Sequence, residues 1–172
     1  MKRVLVVLAL ALSLFACSTP QEEAAAEMVV ASAFDVDECA ACGMLVRDQP
    51  APRGQIVHRD GTRVFLCSLS DMTTYLGAPS AHGAPKGLFV EEIAPDFAPT
   101  ELSSAPTPWL NAADAHYVVG VDRPRIMGTP ALAYRAESDA SRIAASHGAS
   151  LVTWPGLPAA LSKSTDHAGH SH

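Results

Sequence analysis

The chain has 172 residues and a formal net charge of −6, with 48% apolar and 17% charged residues. This length accommodates one domain or two small ones, and the composition supports a buried core rather than overall disorder. The acidic balance argues against a nucleic-acid partner, which would need a basic face, and a single long apolar run, at the N-terminus, excludes a polytopic membrane protein.

Residues 1–16 are predicted to be a lipoprotein signal peptide. Two basic residues precede an apolar run over residues 4–14, which is too short to span a bilayer comfortably. The run ends in Leu-Phe-Ala followed by Cys17, and this pattern resembles a bacterial lipoprotein cleavage site. The resemblance implies cleavage before Cys17 and lipidation of its thiol, which anchors the chain to a membrane. Ordinary secretion with a chance cysteine is the alternative.

The segment 17–37 is predicted to be the lipidated cysteine and a flexible tether, because it is polar, acidic and rich in alanine. The predicted location is the periplasmic face of a bacterial membrane, and Ser18 after the lipidated residue favours the outer membrane. Three thiols then remain in an oxidising compartment, at Cys39, Cys42 and Cys67. Three thiols cannot all pair within one chain, so at least one needs another role.

The first folded unit is predicted over residues 38–93, with the order β-β-α-β. Asp60-Gly61 is a strong hairpin signal between two apolar runs, and apolar positions at helical spacing follow until Gly77. The predicted elements are strands at 55–58 and 63–66, a helix at 68–76 and a strand at 88–93.

A second unit of the same order is predicted over residues 116–158, after a proline-rich connection at 94–115 that includes a short helix at 109–115. Its predicted elements are strands at 116–121 and 131–134, a helix at 138–146 and a strand at 150–154. The predicted fold class is therefore α+β, with two similar ββαβ units packed as one small compact body. Residues 159–172 are predicted to be a disordered tail whose histidines either bind metal weakly or are simply solvated.

Cys39-Ala-Ala-Cys42-Gly-Met44 is the motif that most clearly indicates a chemistry. Two thiolates and a thioether are soft ligands, which favour Cu(I) and, to a lesser degree, zinc. Gly43 permits a turn that would bring Met44 back toward the thiols. A thiol–disulfide oxidoreductase that uses Cys39 and Cys42, or a structural lipoprotein in which the pair closes a loop, are the alternatives. No hydrolase triad or phosphate-binding loop is present, so an enzyme is not predicted.

The chain resembles the NosL family, the accessory lipoproteins of nitrous-oxide reductase, over roughly residues 37–157. The stretches that carry the resemblance are Cys39-Ala-Ala-Cys42-Gly-Met44, Pro52-Arg-Gly-Gln-Ile56, Asp60-Gly61, Val64-Phe-Leu-Cys67, Asp71-Met72, Trp109-Leu-Asn-Ala112, Ala115-His-Tyr-Val118 and Met127-Gly128 with Pro130. The family fold is similar to two β-β-α-β units. The resemblance implies a periplasmic Cu(I) chaperone that supports copper-site assembly in nitrous-oxide reductase, together with an ABC-type transporter complex.

The resemblance also implies a set of copper ligands. Cys39, Cys42 and Met44 match the family motif, and Met127 matches the methionine in the second half of the family. Cys67 and His116 are less certain candidates: a buried thiol often acts as a small apolar residue, and a lone histidine at the head of a strand is usually satisfied structurally. Cys67 stands where many members of the family carry an acidic or other polar residue.

Overall fold

The computed structural model describes residues 29–124, 126 and 128–168. The predicted signal peptide and Cys17 lie outside these residues. In the described part of the chain, no helix combines the length and the apolar composition that crossing a membrane requires. The strands and helices are β1 Gly54–His58, β2 Arg63–Leu66, α1 Leu69–Leu76, β3 Pro85–Glu91, β4 Trp109–Asn111, β5 His116–Val119, β6 Ala131–Tyr134, α2 Glu137–His147, β7 Ser150–Thr153 and α3 Leu157–Ala168.

The strands form two antiparallel sheets, which confirms the predicted α+β class. The first sheet has the order β2-β1-β3-β4 and the second has the order β6-β5-β7. Ile56 in the centre of β1 pairs with Val64 on one side and Leu88 on the other. Val118 in β5 pairs in the same way with Leu132 and Leu151. Each half of the chain therefore has the order β-β-α-β.

Side chains alternate across the second sheet, which lies between two cores. Tyr117 and Val119 belong to the main core, which also contains Ile56 of the first sheet, whereas Val118 faces the smaller core under α2. This alternation follows from the two-residue period of a strand. Because residues from both sheets share the main core, the two halves form one body.

Helix α1 begins where the sequence predicts, immediately after β2. The Oγ of Ser68 accepts a hydrogen bond from the amide of Asp71 at 3.1 Å, which caps the first turn. Leu69 and Met72 are buried on its inner face. A Cβ at Gly54 would lie 2.7 Å from the sulfur of Met72, so this glycine lets the helix approach β1 closely. Met72 is fully buried and fills the core beside β1.

The segment 109–115 differs from the predicted short helix. Trp109–Asn111 is strand β4, which pairs with β3 in register Val90 to Leu110, and a single 3-10 turn follows at Ala112–Asp114. Pairing along the exposed edge of β3 satisfies more backbone groups than an isolated turn of helix would. The prediction of a helix starting at residue 109 was therefore wrong.

Residues 29–37, called here the N-terminal segment, are packed against the body instead of forming a flexible tether. The backbone of Ser32 exchanges two hydrogen bonds with the side-chain amide of Gln55, at 2.9 and 2.7 Å. The ring of Phe34 contacts Phe65 and Trp109 edge-on, each with a centroid separation of 6.1 Å. The predicted tether is therefore wrong for this part of segment 17–37, because buried partners compensate the loss of chain entropy.

The C-terminal region also differs from its prediction. Helix α3 spans Leu157–Ala168, where a disordered tail was predicted from residue 159. Leu157 and Leu161, one helical turn apart, are both buried in the main core. This apolar pair anchors the helix, although the polar residues that follow dominate the composition of the segment.

A buried ion pair connects the proline-rich connection to the first sheet. Arg53 and Glu91 are both fully buried, and the Nη2 of Arg53 donates to the Oε1 of Glu91 at 2.8 Å. The guanidinium of Arg53 also donates to the carbonyls of Gln49, Ser104 and Ala105 at 3.0–3.1 Å. These bonds hold the connection and the segment after residue 47 against β1 and β3.

Candidate metal centre

The loop at residues 39–44 is a tight turn that lies against the end of β2. The amide of Cys39 donates to the carbonyl of Met44 at 2.8 Å, and the amide of Gly43 donates to the carbonyl of Cys39 at 2.8 Å. Gly43 has φ of +75°, in the left-handed region that side chains disfavour, so glycine is what allows this turn. The amide of Ala40 donates to the carbonyl of Phe65 at 3.0 Å, which attaches the loop to β2.

Cys67 meets this loop at the junction between β2 and α1. Its amide donates to the Sγ of Cys39 at 3.3 Å, and its own Sγ lies 3.7 Å from the Sγ of Cys42. The Sγ atoms of Cys39, Cys42 and Cys67 and a carboxylate oxygen of Asp71 all lie within 4.8 Å of one another. These four residues are called here the thiol cluster. All three described cysteines are free.

Of the three thiols in the cluster, one is exposed and two are buried, and Asp71 is half-buried. Cys39 and Cys67 are 3% and 6% exposed, whereas Cys42 lies at the surface. An ion or a partner's ligand can therefore reach the cluster through Cys42, while the other two sulfurs are shielded from solvent.

The three thiols differ in how readily they ionise. Burial raises the pKa of Cys39, but hydrogen bonds from the amides of Cys67, Ala41 and Cys42 outweigh it, so that the net shift is downward. Burial raises the pKa of Cys42. Burial, reinforced by the neighbouring Cys39, raises the pKa of Cys67 far above its ordinary range. Cys39 is thus the first thiolate, and a bound metal ion would displace the protons of the other two.

The structure assembles some of the predicted ligands and not others. Cys39, Cys42 and the less certain Cys67 come together, while Met44 is half-buried and packs against the main core, with its carbonyl 4.0 Å from the Sγ of Cys67. His116 heads β5, where it pairs with Tyr134 and Thr153, and it is not a member of the thiol cluster. Met127 lies outside the described residues.

Asp71 is a member of the cluster that the sequence analysis did not identify as a ligand. It lies in the first turn of α1, and its Oδ2 accepts a hydrogen bond from the Oγ of Ser68 at 3.0 Å. A capping residue with an acid three positions later brings that acid back toward the helix start. Cys67 immediately precedes this capping residue. The sequence therefore contained a signal that could have placed Asp71 near Cys67, namely a cysteine, a capping serine and an acid three positions after the serine.

The described residues on both sides of position 127 lie beside the thiol cluster. The Oγ of Ser70 donates to the carbonyl of Thr129 at 2.8 Å, and Gly128 also approaches Ser70 closely. A small cavity is lined by Cys67 and Ile126 together with Thr129. The chain on either side of Met127 is therefore adjacent to Cys67 and the start of α1.

The spacing of the sulfurs suits one soft metal ion. Two thiolates on a tetrahedral ion with metal–sulfur bonds of about 2.3 Å are separated by about 3.8 Å. The observed 3.7 Å between the Sγ atoms of Cys42 and Cys67 is close to that value. Thiolates select soft ions such as Cu(I), and a carboxylate contributes little to the binding of such an ion.

Comparisons with known proteins give a matching family model, a relative and two similar solved structures. The sequence model of the NosL family matches residues 31–162. A protein of Stutzerimonas stutzeri, named copper-binding lipoprotein NosL, is 29% identical over 174 residues, which cover 98% of this chain and 88% of the relative. The crystal structure of the copper chaperone NosL from Shewanella denitrificans superposes with a TM-score of 0.60 at 25% identity, over 73% of this chain and 93% of the other. The solution structure of apo-NosL from Achromobacter cycloclastes gives a TM-score of 0.44 at 21% identity, over 59% and 82% of the two chains.

Proposed function

The chain belongs to the NosL family, and from this premise we propose that it is a carrier of Cu(I) whose cargo binds to Cys39, Cys42 and Cys67. The observation that carries the proposal is the thiol cluster, in which two sulfurs of the loop at 39–44 and the sulfur of Cys67 lie within 4.8 Å of one another. Three soft ligands hold copper in the reduced state. The names of the relatives, copper-binding lipoprotein and copper chaperone, support the choice of metal.

Transfer to a partner requires that one side of the ion remains accessible. Cys42 is exposed, whereas Cys39 and Cys67 are buried. An incoming ligand can therefore attack the ion from the side of Cys42 and replace that thiolate first. A site with few protein ligands and an open position permits this exchange better than a closed tetrahedral cage.

Two methionines are proposed as thioether ligands that complete the site. The support for Met44 is that it lies two residues beyond Cys42 and that its carbonyl accepts the hydrogen bond from Cys39 that closes the same turn. The support for Met127 is that Ile126 lines the small cavity beside Cys67 and Thr129 is bonded to Ser70. A thioether is neutral and soft, so it binds Cu(I) without adding charge to the thiolates.

The carrier is further proposed to be anchored by lipid at Cys17 to the periplasmic face of a membrane, specifically the outer membrane. The support is the cleavage-site pattern before Cys17 and the word lipoprotein in the name of the relative from Stutzerimonas stutzeri. Anchoring confines the carrier to one surface and raises its effective concentration near partners at that surface. Labelling of cells with a fatty-acid analogue, followed by fractionation, tests this; a Cys17→Ala variant must lose the label.

The proposed recipient of the copper is nitrous-oxide reductase, reached through an ABC-type copper-site assembly complex. This proposal follows from the family resemblance. In cells that lack the chain, the reductase is expected to accumulate with a deficit of copper, and expression of the chain is expected to restore it. Normal copper content in the reductase of such cells would contradict the proposal.

The copper site itself is tested by titration of the reduced protein, without oxygen, against a chromophoric Cu(I) chelator. The expected result is one Cu(I) per chain and no catalysis of thiol–disulfide exchange. Cys42→Ser is expected to weaken Cu(I) binding more than tenfold, since the site loses its exposed thiolate. His82→Asn, at a half-exposed histidine that pairs with Asp60, serves as the control and should not change the affinity. Equal affinity in the Cys42→Ser variant would rule out the site.

A further inference from the structure

The three thiols of the cluster are unequally placed for oxidation. Cys42 is at the surface, so an oxidant meets it first, while Cys39 and Cys67 are 3% and 6% exposed. The sulfur of Cys67 lies 3.7 Å from that of Cys42, which is van der Waals contact between two sulfur atoms. When an oxidant reacts with the sulfur of Cys42, the thiol of Cys67 is therefore already in position to attack it.

We propose that oxidation of the metal-free chain joins Cys42 to Cys67 in a disulfide, leaves Cys39 as a thiol, and thereby closes the site to copper. The inference rests on the proposed function in one respect, since Cu(I) is the cargo that the bond excludes. It assigns the bond to two residues that are 25 positions apart instead of to the CxxC pair.

The reaction is thiol–disulfide exchange with a small-molecule disulfide. The thiolate of Cys42 attacks one sulfur of that disulfide and releases a thiol, which gives a mixed disulfide at the surface. The sulfur of Cys67, which touches that of Cys42, then attacks the Sγ of Cys42, loses its proton and releases the second thiol. Cys42 and Cys67 are oxidised by two electrons in total, the small-molecule disulfide is reduced to two thiols, and these take up the two protons that the cysteines lose.

The environment of Cys39 makes it the thiol that remains. Its sulfur is buried and accepts a hydrogen bond from the amide of Cys67 at 3.3 Å, and its backbone takes part in the hydrogen bonds to Gly43 and Met44 that close the turn. The sulfur of Cys67 is in contact with that of Cys42 and lies 4.0 Å from the carbonyl of Met44.

The disulfide would act on copper binding in two ways. It removes two of the three thiolates, which leaves Cys39 as the one anionic sulfur of the cluster. It also joins the loop at 39–44 covalently to the residue that precedes the N-cap of α1, so the sulfurs of Cys42 and Cys67 can no longer move apart around an ion. Bound Cu(I), conversely, occupies both thiolates and should protect them from oxidation.

The distribution of basic residues in the sequence allows a direct test. No Lys or Arg lies between Cys39 and Cys42, whereas Arg47 and Arg63 separate both of them from Cys67. The copper-free protein is equilibrated with mixtures of oxidised and reduced glutathione, alkylated and digested with trypsin. The expected result is that two thiols disappear together, one remains alkylated, and the peptide ending at Arg47 is crosslinked to peptide 64–86. A bond within the CxxC pair would leave these peptides separate and would overturn the proposal.

Two variants identify which cysteine of the motif forms the crosslink. Cys39→Ser should retain the crosslink to peptide 64–86, and Cys42→Ser should abolish it. The reverse pattern would assign the bond to Cys39 and overturn the proposal. Because the first measurement uses the unmodified protein, a variant that fails to fold does not remove the test.

Copper uptake by the same samples separates this inference from the proposed function. The oxidised chain is expected to bind Cu(I) at least a hundredfold more weakly than the reduced chain, with full recovery after reduction, and preloaded copper should prevent the crosslink. If reduced protein binds copper but the crosslink does not form or does not affect binding, the proposal that oxidation closes the site is wrong and the carrier function stands. If the crosslink forms but reduced protein binds no copper, the carrier function fails.

Discussion

Cys67 contributes to the site from a position that no local motif marks. Its sulfur contacts that of Cys42 and its amide donates to the sulfur of Cys39, although it lies 25 positions beyond Cys42 in the chain. The CxxC part of the site is visible in the sequence because its two thiols are close along the chain. Cys67 and Asp71 join it because β2 ends beside the loop, and this depends on the isolated pairing of Cys39 with Phe65.

A comparison of Cys67→Ser with Asp71→Asn tests how much the thiolate and the carboxylate each contribute to Cu(I) affinity. Cys67→Ser removes a soft ligand and is expected to weaken Cu(I) binding tenfold or more, which corresponds to about 1.4 kcal/mol. Asp71→Asn removes only a carboxylate and should leave the affinity within about threefold. Competition titrations of both reduced variants measure this, with circular dichroism as the check on folding. A larger loss of affinity in Asp71→Asn than in Cys67→Ser would contradict the expectation that the thiolate contributes more than the carboxylate.

The methionines offer a similar pair of substitutions. Met127→Leu should weaken Cu(I) binding by about tenfold, since leucine has no sulfur to ligate the ion. Met72→Leu changes a fully buried residue of α1, so it should cost less than about 1.5 kcal/mol of stability and leave copper binding unchanged. Sulfur X-ray absorption of the copper-loaded proteins, together with titration, distinguishes the two. Unchanged affinity and spectra in Met127→Leu would exclude this residue as a ligand.

At the scale of elements, the sequence predicts well the strands and helices whose signals lie within their own residues, such as hydrophobic periodicity, turn residues and helix caps. The hairpin at Asp60-Gly61 and the capped helix after Ser68 are examples, because residues within a few positions determine them. Strand β4 and the N-terminal segment were missed because their conformations depend on distant partners. Trp109–Asn111 is a strand because β3 has a free edge, and Ser32 is held by the side chain of Gln55.

Phe34 tests whether the N-terminal segment is an integral part of the fold. Its ring contacts Phe65 and Trp109, and the guanidinium of Arg53 lies 4.4 Å from its centroid. Phe34→Ala is expected to reduce the free energy of unfolding by about 1–3 kcal/mol, because the half-buried ring loses apolar and cation–π contacts. Urea denaturation measures this. The exposed neighbour Val36 is the control, and Val36→Ala should have an effect near zero.

At the scale of the whole molecule, one core joins the two similar units and one buried ion pair secures the connection between them. The units themselves are predictable from hydrophobic patterns, whereas their association is not, since it requires knowing which faces meet. Arg53 and Glu91 are polar residues that strand patterns alone would assign to the surface. The structure buries both because each satisfies the other, and because carbonyls of Gln49, Ser104 and Ala105 accept the remaining donors.

Glu91→Gln is expected to destabilise the whole molecule by about 3–5 kcal/mol, because it leaves the guanidinium of Arg53 buried without a counter-charge. The adjacent Glu92 provides a matched control, since its partner Arg135 is largely exposed. Glu92→Gln should cost no more than about 1 kcal/mol. Thermal and urea unfolding of the two variants measure the loss of stability in each. Equal losses in the free energy of unfolding would show that the buried ion pair contributes no more to stability than the surface pair.

Packing of the N-terminal segment has a consequence for where the cargo can be exchanged. With the lipid on Cys17 inserted in the bilayer as proposed, 11 residues lie between Cys17 and Val29, the first residue that the structure describes. Fully extended, that length reaches about 40 Å. The loop at Cys39 directly follows the packed N-terminal segment. Its greatest distance from the membrane is therefore set by residues 18–28 and the folded body, and not by the whole stretch from Cys17 to the motif. With that proposed anchor, delivery would be confined to the zone near the lipid headgroups that this length allows, and a recipient would have to present its acceptor ligands within that zone.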